Sequence, residues 1–379
     1  MNFDYTDDQQ QLRDAVRRWV DKGYGFERRM GIAHAGGFSQ EAWSELADLG
    51  LSALTVAPDA GGLGFGAVEA MVVMEELGRG LVLEPLAAVA LVATDLLAQS
   101  KAPAAAHWLR GIAEGRERVV LAHQERAARY HLNQVTTRAE PTGADWLISG
   151  AKSVVPIGAH AGAFIVPARV SGANDDPLGI GLFLVARDEA GVAVRGYPTQ
   201  DGACAAEIKL DQARGIELIG AGEAFAALER AQDIAIAAAC AEAVGAMDKL
   251  VAITVDYMNT RKQFGVPISS FQALRHRIAD VKMQLELARS MSYFATLKLG
   301  APAAERRRAL SQAKVQLGHS MRYVGQQAIQ LHGGIGVTME YAAGHYFKRL
   351  TMLELSFGDT LHHLGEVSAR MQDTAGVFA

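Results

Sequence analysis

From Ala221 onward the chain carries long helical runs with few breaks: Phe225 to Tyr257, Phe271 to Leu299, Pro302 to Leu331, then Tyr341 to Leu355 and a last run from Asp359. At about 1.5 Å of rise per residue the three longest make rods of roughly 40–50 Å. Rods of that length bury their apolar faces by lying side by side, and their number and size predict a four-helix bundle.

Ahead of the bundle the hydrophobic period changes twice. From Thr6 to about Leu109 it is helical: Thr6 and Gln9 are spaced as a capping box, and Leu12, Val16, Trp19 and Val20 line one face behind it. A second helix is expected from Ser39, with Trp43, Leu46 and Leu49 turned inward. The turn Gly61-Gly62-Leu63-Gly64-Phe65-Gly66 leads into another through Met71, Met74 and Leu77. That turn reads as a connection, because a phosphate-cradling loop needs a strand before it. Between about Arg118 and Leu210 the texture becomes short β-type runs: Val119 to Leu121, Trp146 to Ile148, Val154-Val155, Phe164 to Val166 and Leu182 to Val185. Gly, Pro, Asn and Asp separate them, which predicts a small barrel or sandwich. The expected fold is therefore mainly α with a β middle domain: an all-α domain over 1–116, a small β barrel over 117–215 and a helical bundle over 216–379.

Composition excludes several function classes. A length of 379 residues at 50% hydrophobic suffices for a large core, and a net charge of −5 gives no electrostatic ground for binding nucleic acid or an anionic membrane surface. The apolar stretch from Leu81 to Leu97 is broken by Glu84, Pro85 and Asp95, so no membrane span is expected. Cys204 and Cys240 share no metal or redox spacing, and the start Met1-Asn2-Phe3-Asp4 lacks an apolar signal, so a prokaryotic cytoplasm is the expected compartment. His362-His363 is no metal pair, since neighbours on a helix face different ways, and a surface or interface place is expected for them. His332 and His345 read as packing residues.

Chemistry concentrates in two segments. Arg261-Lys262-Gln263-Phe264-Gly265 is followed by Phe271-Gln272, and a long helix later comes Gln330-Leu331-His332-Gly333-Gly334-Ile335-Gly336. A dinucleotide offers a pyrophosphate, which a guanidinium matches, and a flat ring, which an amide and close-approaching glycine backbone match. Taken alone, Arg261 and Lys262 are equally explained as cations at the negative end of a helix.

Together these segments resemble the C-terminal half of the acyl-CoA dehydrogenase family, and the helical, β, helical order extends the resemblance over almost the whole chain. It implies FAD, with Arg261 at the pyrophosphate, Phe264 near the adenosine, and Gln272, Gln330, Gly333 and Gly334 around adenine and ribose, partly across a subunit interface. It also implies an acyl-CoA substrate, a homo- or hetero-tetramer with a homologous subunit, electron-transferring flavoprotein as acceptor, and no metal. In that family a carboxylate removes the α-proton of an acyl thioester while hydride passes from the β-carbon to flavin N5. The glutamate that usually does so maps onto Phe357 of Ser356-Phe357-Gly358-Asp359, and the other place used for it, on the first bundle helix, maps onto Ala235 and Ile236. Neither can take a proton. Asp359 is the remaining candidate for the base, with Asp233 behind it. The segment His123 to Tyr130 and Val154-Val155-Pro156 likewise stand where the family has flavin-ring contacts. Phe357-Gly358-Asp359 with His362-His363-Leu364 resembles the small subunit of pimeloyl-CoA dehydrogenase, a branch whose members pair with a second, homologous subunit. The competing expectation is a scaffold subunit that keeps the fold without catalysis.

Overall fold

The computed structural model describes residues 4–143 and 145–371. Its helices begin where side chains meet the amides that a helix start leaves unpaired. Thr6 accepts from the Gln9 amide while the Gln9 side chain accepts from the Thr6 amide, so the expected capping box opens α1 (Asp7–Gly23). α2 (Phe26–His34) follows, and Ser39 caps α3 (Gln40–Asp48) through the Ala42 amide. The glycine turn then leads into α4 (Ala67–Arg79), with Gly61 and Gly64 at φ of 90° and 64°. The apolar run after Leu86 winds as a π-helix over Ala87–Ala93 and tightens into α5 (Thr94–Ala98), followed by α6 (Pro103–Ala113).

The strands are β1 (Val119–Leu121), β2 (Arg138–Thr142), β3 (Asp145–Pro156), β4 (Ala163–Arg169), β5 (Ile180–Ala186), β6 (Val192–Pro198) and β7 (Cys204–Ile219). Five of them close on themselves: β4 pairs with β2 and β5, β2 with β3, β3 with β7, and β7 with β5. The expected choice between barrel and sandwich thus resolves as a barrel, with β1 added along β4 and β6 along β7. Every residue of β4 is buried, its apolar run Ala163 to Ala168 and also Arg169 at its end, whose guanidinium donates to backbone carbonyls. The β texture extends to Ile219, beyond the expected limit near Leu210, because β7 resumes its pairing with β3 beyond a bulge at Asp211-Gln212 and pairs with β5 as far as Ile219.

α7 (Ala224–Thr260) leads to a short hairpin of β8 (Lys262–Gln263) and β9 (Val266–Pro267), then α8 (Gln272–Lys298), α9 (Ala303–His332), α10 (Ala342–Leu355) and α11 (Thr360–Ala369). The expected helix limits hold to within a few residues. By contacts the chain divides into two units that cut across the three consecutive segments: one takes in Met1–Arg29, Ala67–Val82 and Ile236–Ala379, the other Met30–Gly66 and Leu83–Ala235. The first has its core between the long helices, around Met247, Leu250, Leu285, Leu310, Leu317, Val324 and Leu350. There α4 and α7 touch backbone to backbone: a Cβ on Gly245 would stand 1.7 Å from the Glu75 carbonyl oxygen. In the second unit Phe164, Ile165, Leu182 and Phe183 of β4 and β5 are fully buried, alternating between the two faces of the sheet, and Trp43 is buried with its indole N–H donating to the Gly115 carbonyl. No described helix is long and apolar enough to cross a membrane.

Candidate functional site

The hairpin after α7 is where the first candidate segment folds. Lys262 pairs with Pro267 and Gln263 with Val266, leaving Phe264 and Gly265 as its two central residues at φ of 53° and 82°. Two positive φ values define the hairpin turn that matches strand twist, and Gly265 takes its place without strain. Phe264 does not: a bulky residue there costs roughly 1–2 kcal/mol. Its side chain is 92% exposed, so burial offsets little of that cost. Arg261 donates its amide to the Tyr257 carbonyl and accepts from the Ile268 amide, which fixes the base of the hairpin. Its guanidinium makes no ion pair among the described residues and is exposed.

The second segment meets the first through a small apolar cluster. Met258 of α7, Ile268 beyond the hairpin and Leu331 of α9 pack together, with Tyr257, Phe271 and Leu274 against them. Gln272 at the start of α8, and Gln330, Gly333 and Gly334 at the end of α9, are therefore carried to the same end of the helices as Arg261 and Phe264. Gly333 ends α9 at φ 63° and ψ −141°, a region essentially closed to other residues. A Cβ on Gly333 or Gly334 would meet nothing within 4 Å, so their backbone faces open space. Gln272 and Gln330 are exposed and spend neither amide on the described residues. Unpaired cation, exposed aromatic ring, free amides and open glycine backbone suit a dinucleotide, and these residues fit the FAD that the resemblance implies.

Behind this surface His332 donates from Nδ1 to the Ala328 carbonyl at 2.8 Å, its ring between Tyr257 and Tyr341 at 4.7 and 5.0 Å. It packs, as expected. Its buried Nε2 has no partner among the described residues, and burial lowers its pKa.

The expected base positions look different. Phe357 is partly buried against the main core at φ 58°, between Ser356, whose hydroxyl donates to the Met352 carbonyl, and the Asp359 cap. His363 donates to its carbonyl at 3.0 Å. Glu354, buried at the end of α10, accepts from both the amide and the hydroxyl of Thr360 at 3.1 and 2.6 Å. Lys314 of α9, only 1% exposed, donates to the Leu353 and Glu354 carbonyls, each at 2.8 Å. Burial pulls its ammonium down to about 8 against the pull of Cys240, Glu354 and Asp359, and burial beside Lys314 pushes His363 down to about 3. Asp359 is the N-cap of α11, accepting from the His362 amide at 2.8 Å. Ala235 and Ile236 are buried in α7, as is Asp233. The surface place expected for the histidine pair is corrected for His363, which is buried because its ring closes the Phe357 turn.

In the barrel unit, the segment from His123 also turns inward. Glu125 accepts from the amides and hydroxyls of Thr136 and Thr137 and from Lys152 Nζ at 2.7 Å, while Lys152 also donates to the Pro167 carbonyl. Burial opposes ionisation of Glu125, but Lys152 and these donors outweigh it and hold the carboxyl down to about 2. His123 is buried and pushed down to about 4 by desolvation and by Lys152. Val154, where a ring-contacting residue is expected, is exposed at φ 53°, a strained conformation for a β-branched side chain, beside a strand bulge. Sequence reasoning missed the Glu125–Lys152 pair and Lys314. The readable signal for Lys314 was a lysine on the apolar face of α9 marked by Leu310, Leu317 and Met321.

A five-stranded barrel between helical segments is the architecture of the acyl-CoA dehydrogenase fold, and the open glycine and arginine surface lies at one end of the long helices. Two family models match: "Acyl-CoA dehydrogenase, N-terminal domain" over residues 6–116 and "Acyl-CoA dehydrogenase, C-terminal domain" over 225–372. Acyl-CoA dehydrogenase FadE12 of Mycobacterium tuberculosis is 30% identical over 355 residues, spanning 90% of this chain and 89% of its own. The chain belongs to the acyl-CoA dehydrogenase family. Among solved structures, the Tcur3481-Tcur3483 steroid ACAD variant is 27% identical with a TM-score of 0.88, covering 98% of this chain and 99% of that one. The ChsE4-ChsE5 complex from Mycobacterium tuberculosis, 24% identical at a TM-score of 0.88 over 98% and 99%, shows the same fold. Membership supports a flavin cofactor and oxidoreductase chemistry on a CH–CH bond.

Proposed function

We propose that this chain is one subunit of a FAD-dependent acyl-CoA dehydrogenase, of the branch typified by the small subunit of pimeloyl-CoA dehydrogenase, and that a homologous partner supplies the α-proton base. The observation that carries the reading is Phe357: the position that the resemblance assigns to the family's glutamate holds an apolar ring packed on the core, with His363 bonded to its carbonyl and Glu354 bonded to Thr360 beside it. When bound, FAD would supply the acceptor for the β-hydride. This chain's part is to hold the dinucleotide through Arg261, Phe264, Gln272, Gln330, Gly333 and Gly334. The names of two similar structures, Tcur3481-Tcur3483 and the ChsE4-ChsE5 complex, each join two components, which agrees with a paired architecture. Electron-transferring flavoprotein is the acceptor that fits the family, and the cytoplasm the compartment.

A second reading has a specific observation behind it. Asp359 is a carboxylate two residues beyond Phe357, and as the base it would make the chain self-sufficient. One of its carboxylate oxygens already accepts from the His362 amide as the cap of α11, a structural role that needs no catalytic one to explain it. The deciding experiment is anaerobic titration of the purified, flavin-loaded chain with acyl-CoA thioesters. Bleaching by the chain alone, abolished in Asp359→Asn, would establish the second reading. Flavin that bleaches only after a homologous partner is added supports the first.

A further inference from the structure

The loop that presents Gly333 and Gly334 is held from behind by a buried relay. Between α9 and α10 it exposes Ile335, Val337 and Met339, so little apolar burial fixes its shape. On its inner side the Gly336 carbonyl stands 3.0 Å from where a Cβ on Gly344 would lie. His345 approaches from α10, 4% exposed, with Nε2 2.9 Å from the Met339 carbonyl oxygen and Nδ1 3.1 Å from a terminal nitrogen of Arg29. A carbonyl can only accept and a guanidinium can only donate. The imidazole must therefore carry its proton on Nε2 and accept at Nδ1, and Arg29 selects the tautomer that pins Met339. Arg29 is itself 1% exposed, and Phe26 packs edge-on against the His345 ring at 5.1 Å. Burying an arginine against a histidine is costly, and serves here to fix the backbone of an otherwise open loop.

We propose that Arg29 and His345 are positioning residues for flavin retention: through the Met339 carbonyl they hold the Gly333–Met339 loop in the shape that receives the dinucleotide end of FAD. The proposal rests on the FAD reading above and adds to it the residues that set the cradle's geometry. Both act through the loop, and neither needs to touch the cofactor.

The test is equilibrium binding of FAD and FMN to the flavin-depleted protein, with the homologous partner present if retention requires it. FMN lacks the adenosine half. His345→Phe keeps the ring against Phe26 but loses both hydrogen bonds, and should weaken FAD about tenfold, the scale of one or two lost hydrogen bonds, with FMN unchanged. His345→Gln offers one donor and one acceptor and should restore FAD affinity to within about threefold. A purely structural role would lower thermal stability and leave the ratio of FAD to FMN affinity as in the wild type, which overturns the proposal. The wild type gives a readout free of folding effects: amide exchange over residues 333–341 should slow on adding FAD, and no change there also overturns it. Wild-type protein with no preference for FAD over FMN would instead sink the dinucleotide reading itself.

Discussion

The two ends of the proposed chemistry are built in opposite ways. At the dinucleotide end Arg261, Gln272 and Gln330 are exposed and unspent, Phe264 stands in solvent, and Gly333 and Gly334 offer bare backbone. At the Phe357 turn, Glu354, Thr360, His363 and Lys314 are buried and bonded to one another or to the backbone. Polar groups left open, beside an apolar ring exposed at a cost in strain at Phe264, suit something from outside. Polar groups consumed internally hold shape. The contrast is what the proposed reading requires: a surface left open for cofactor at one end, and a turn given over to packing at the other.

The largest effect expected from breaking this contrast comes from Phe357→Glu. The turn already holds its backbone in the left-handed region, so the substitution returns a carboxylate to the family's position without asking for new geometry. A well-placed general base contributes about 10²–10⁴-fold. Anaerobic stopped-flow reduction of the bound flavin by an acyl-CoA should accelerate at least about a hundredfold in the isolated chain. Flavin-loaded Phe357→Glu that stays as inert as wild type would mean that more than the base has been lost, with the altered barrel segments around Glu125 and Val154 the next place to look.

Next in size is a double dissociation between the two ends. Glu354→Ala strips the Thr360 amide and hydroxyl of their buried acceptor and should destabilise the fold by about 2–3 kcal/mol in denaturant melts, with FAD affinity little changed. Arg261→Ala should do the reverse. Its guanidinium is exposed and unpaired, so stability should stay within about 0.5 kcal/mol. FAD affinity should fall roughly tenfold or more, the worth of a charge-assisted hydrogen bond to phosphate. If Arg261→Ala destabilises as much as it weakens FAD, the open surface is structural after all.

How much of this the sequence disclosed follows the same division. Local signals were readable: Thr6 with Gln9, a helix start near Ser39, and the limits of the long helices all come from neighbours a few residues apart, although the short α2 (Phe26–His34) before Ser39 was not foreseen. The Arg261 to Gln272 and Gln330 to Gly334 segments could be assigned to one place because each is contiguous. The Glu125–Lys152 and Arg29–His345 pairs were invisible, since members 27 and 316 residues apart meet only when the fold closes. The π-helical turns of Ala87–Ala93 share their apolar pattern with an α-helix, and β7 crosses Asp211-Gln212, which reads as a turn until its partners on β3 are known. Phe357 could be singled out by the resemblance alone, but that its carbonyl is held by His363, beside buried Lys314, required the fold.

Glu75 extends the contrast to a third place, a buried group left unspent. One of its carboxylate oxygens has no hydrogen-bond partner among the described residues, and the other lies 3.5 Å from Arg289. Burial pushes its pKa up to about 7, with Glu76 and Asp248 adding to the effect and Arg289 and Arg13 opposing it. A folded pKa above the unfolded one means that the native state holds the proton more tightly. The stability this contributes is complete below about pH 4.5 and is lost as pH rises through 7. Glu75→Gln keeps the neutral shape at every pH, so it should match wild type near pH 4 and exceed it by about 1–2 kcal/mol at pH 8. Denaturant melts across that range measure the difference directly. Parallel curves for the two proteins would show that Glu75 is as well satisfied as Glu354, and would remove it from the groups this unit leaves unspent.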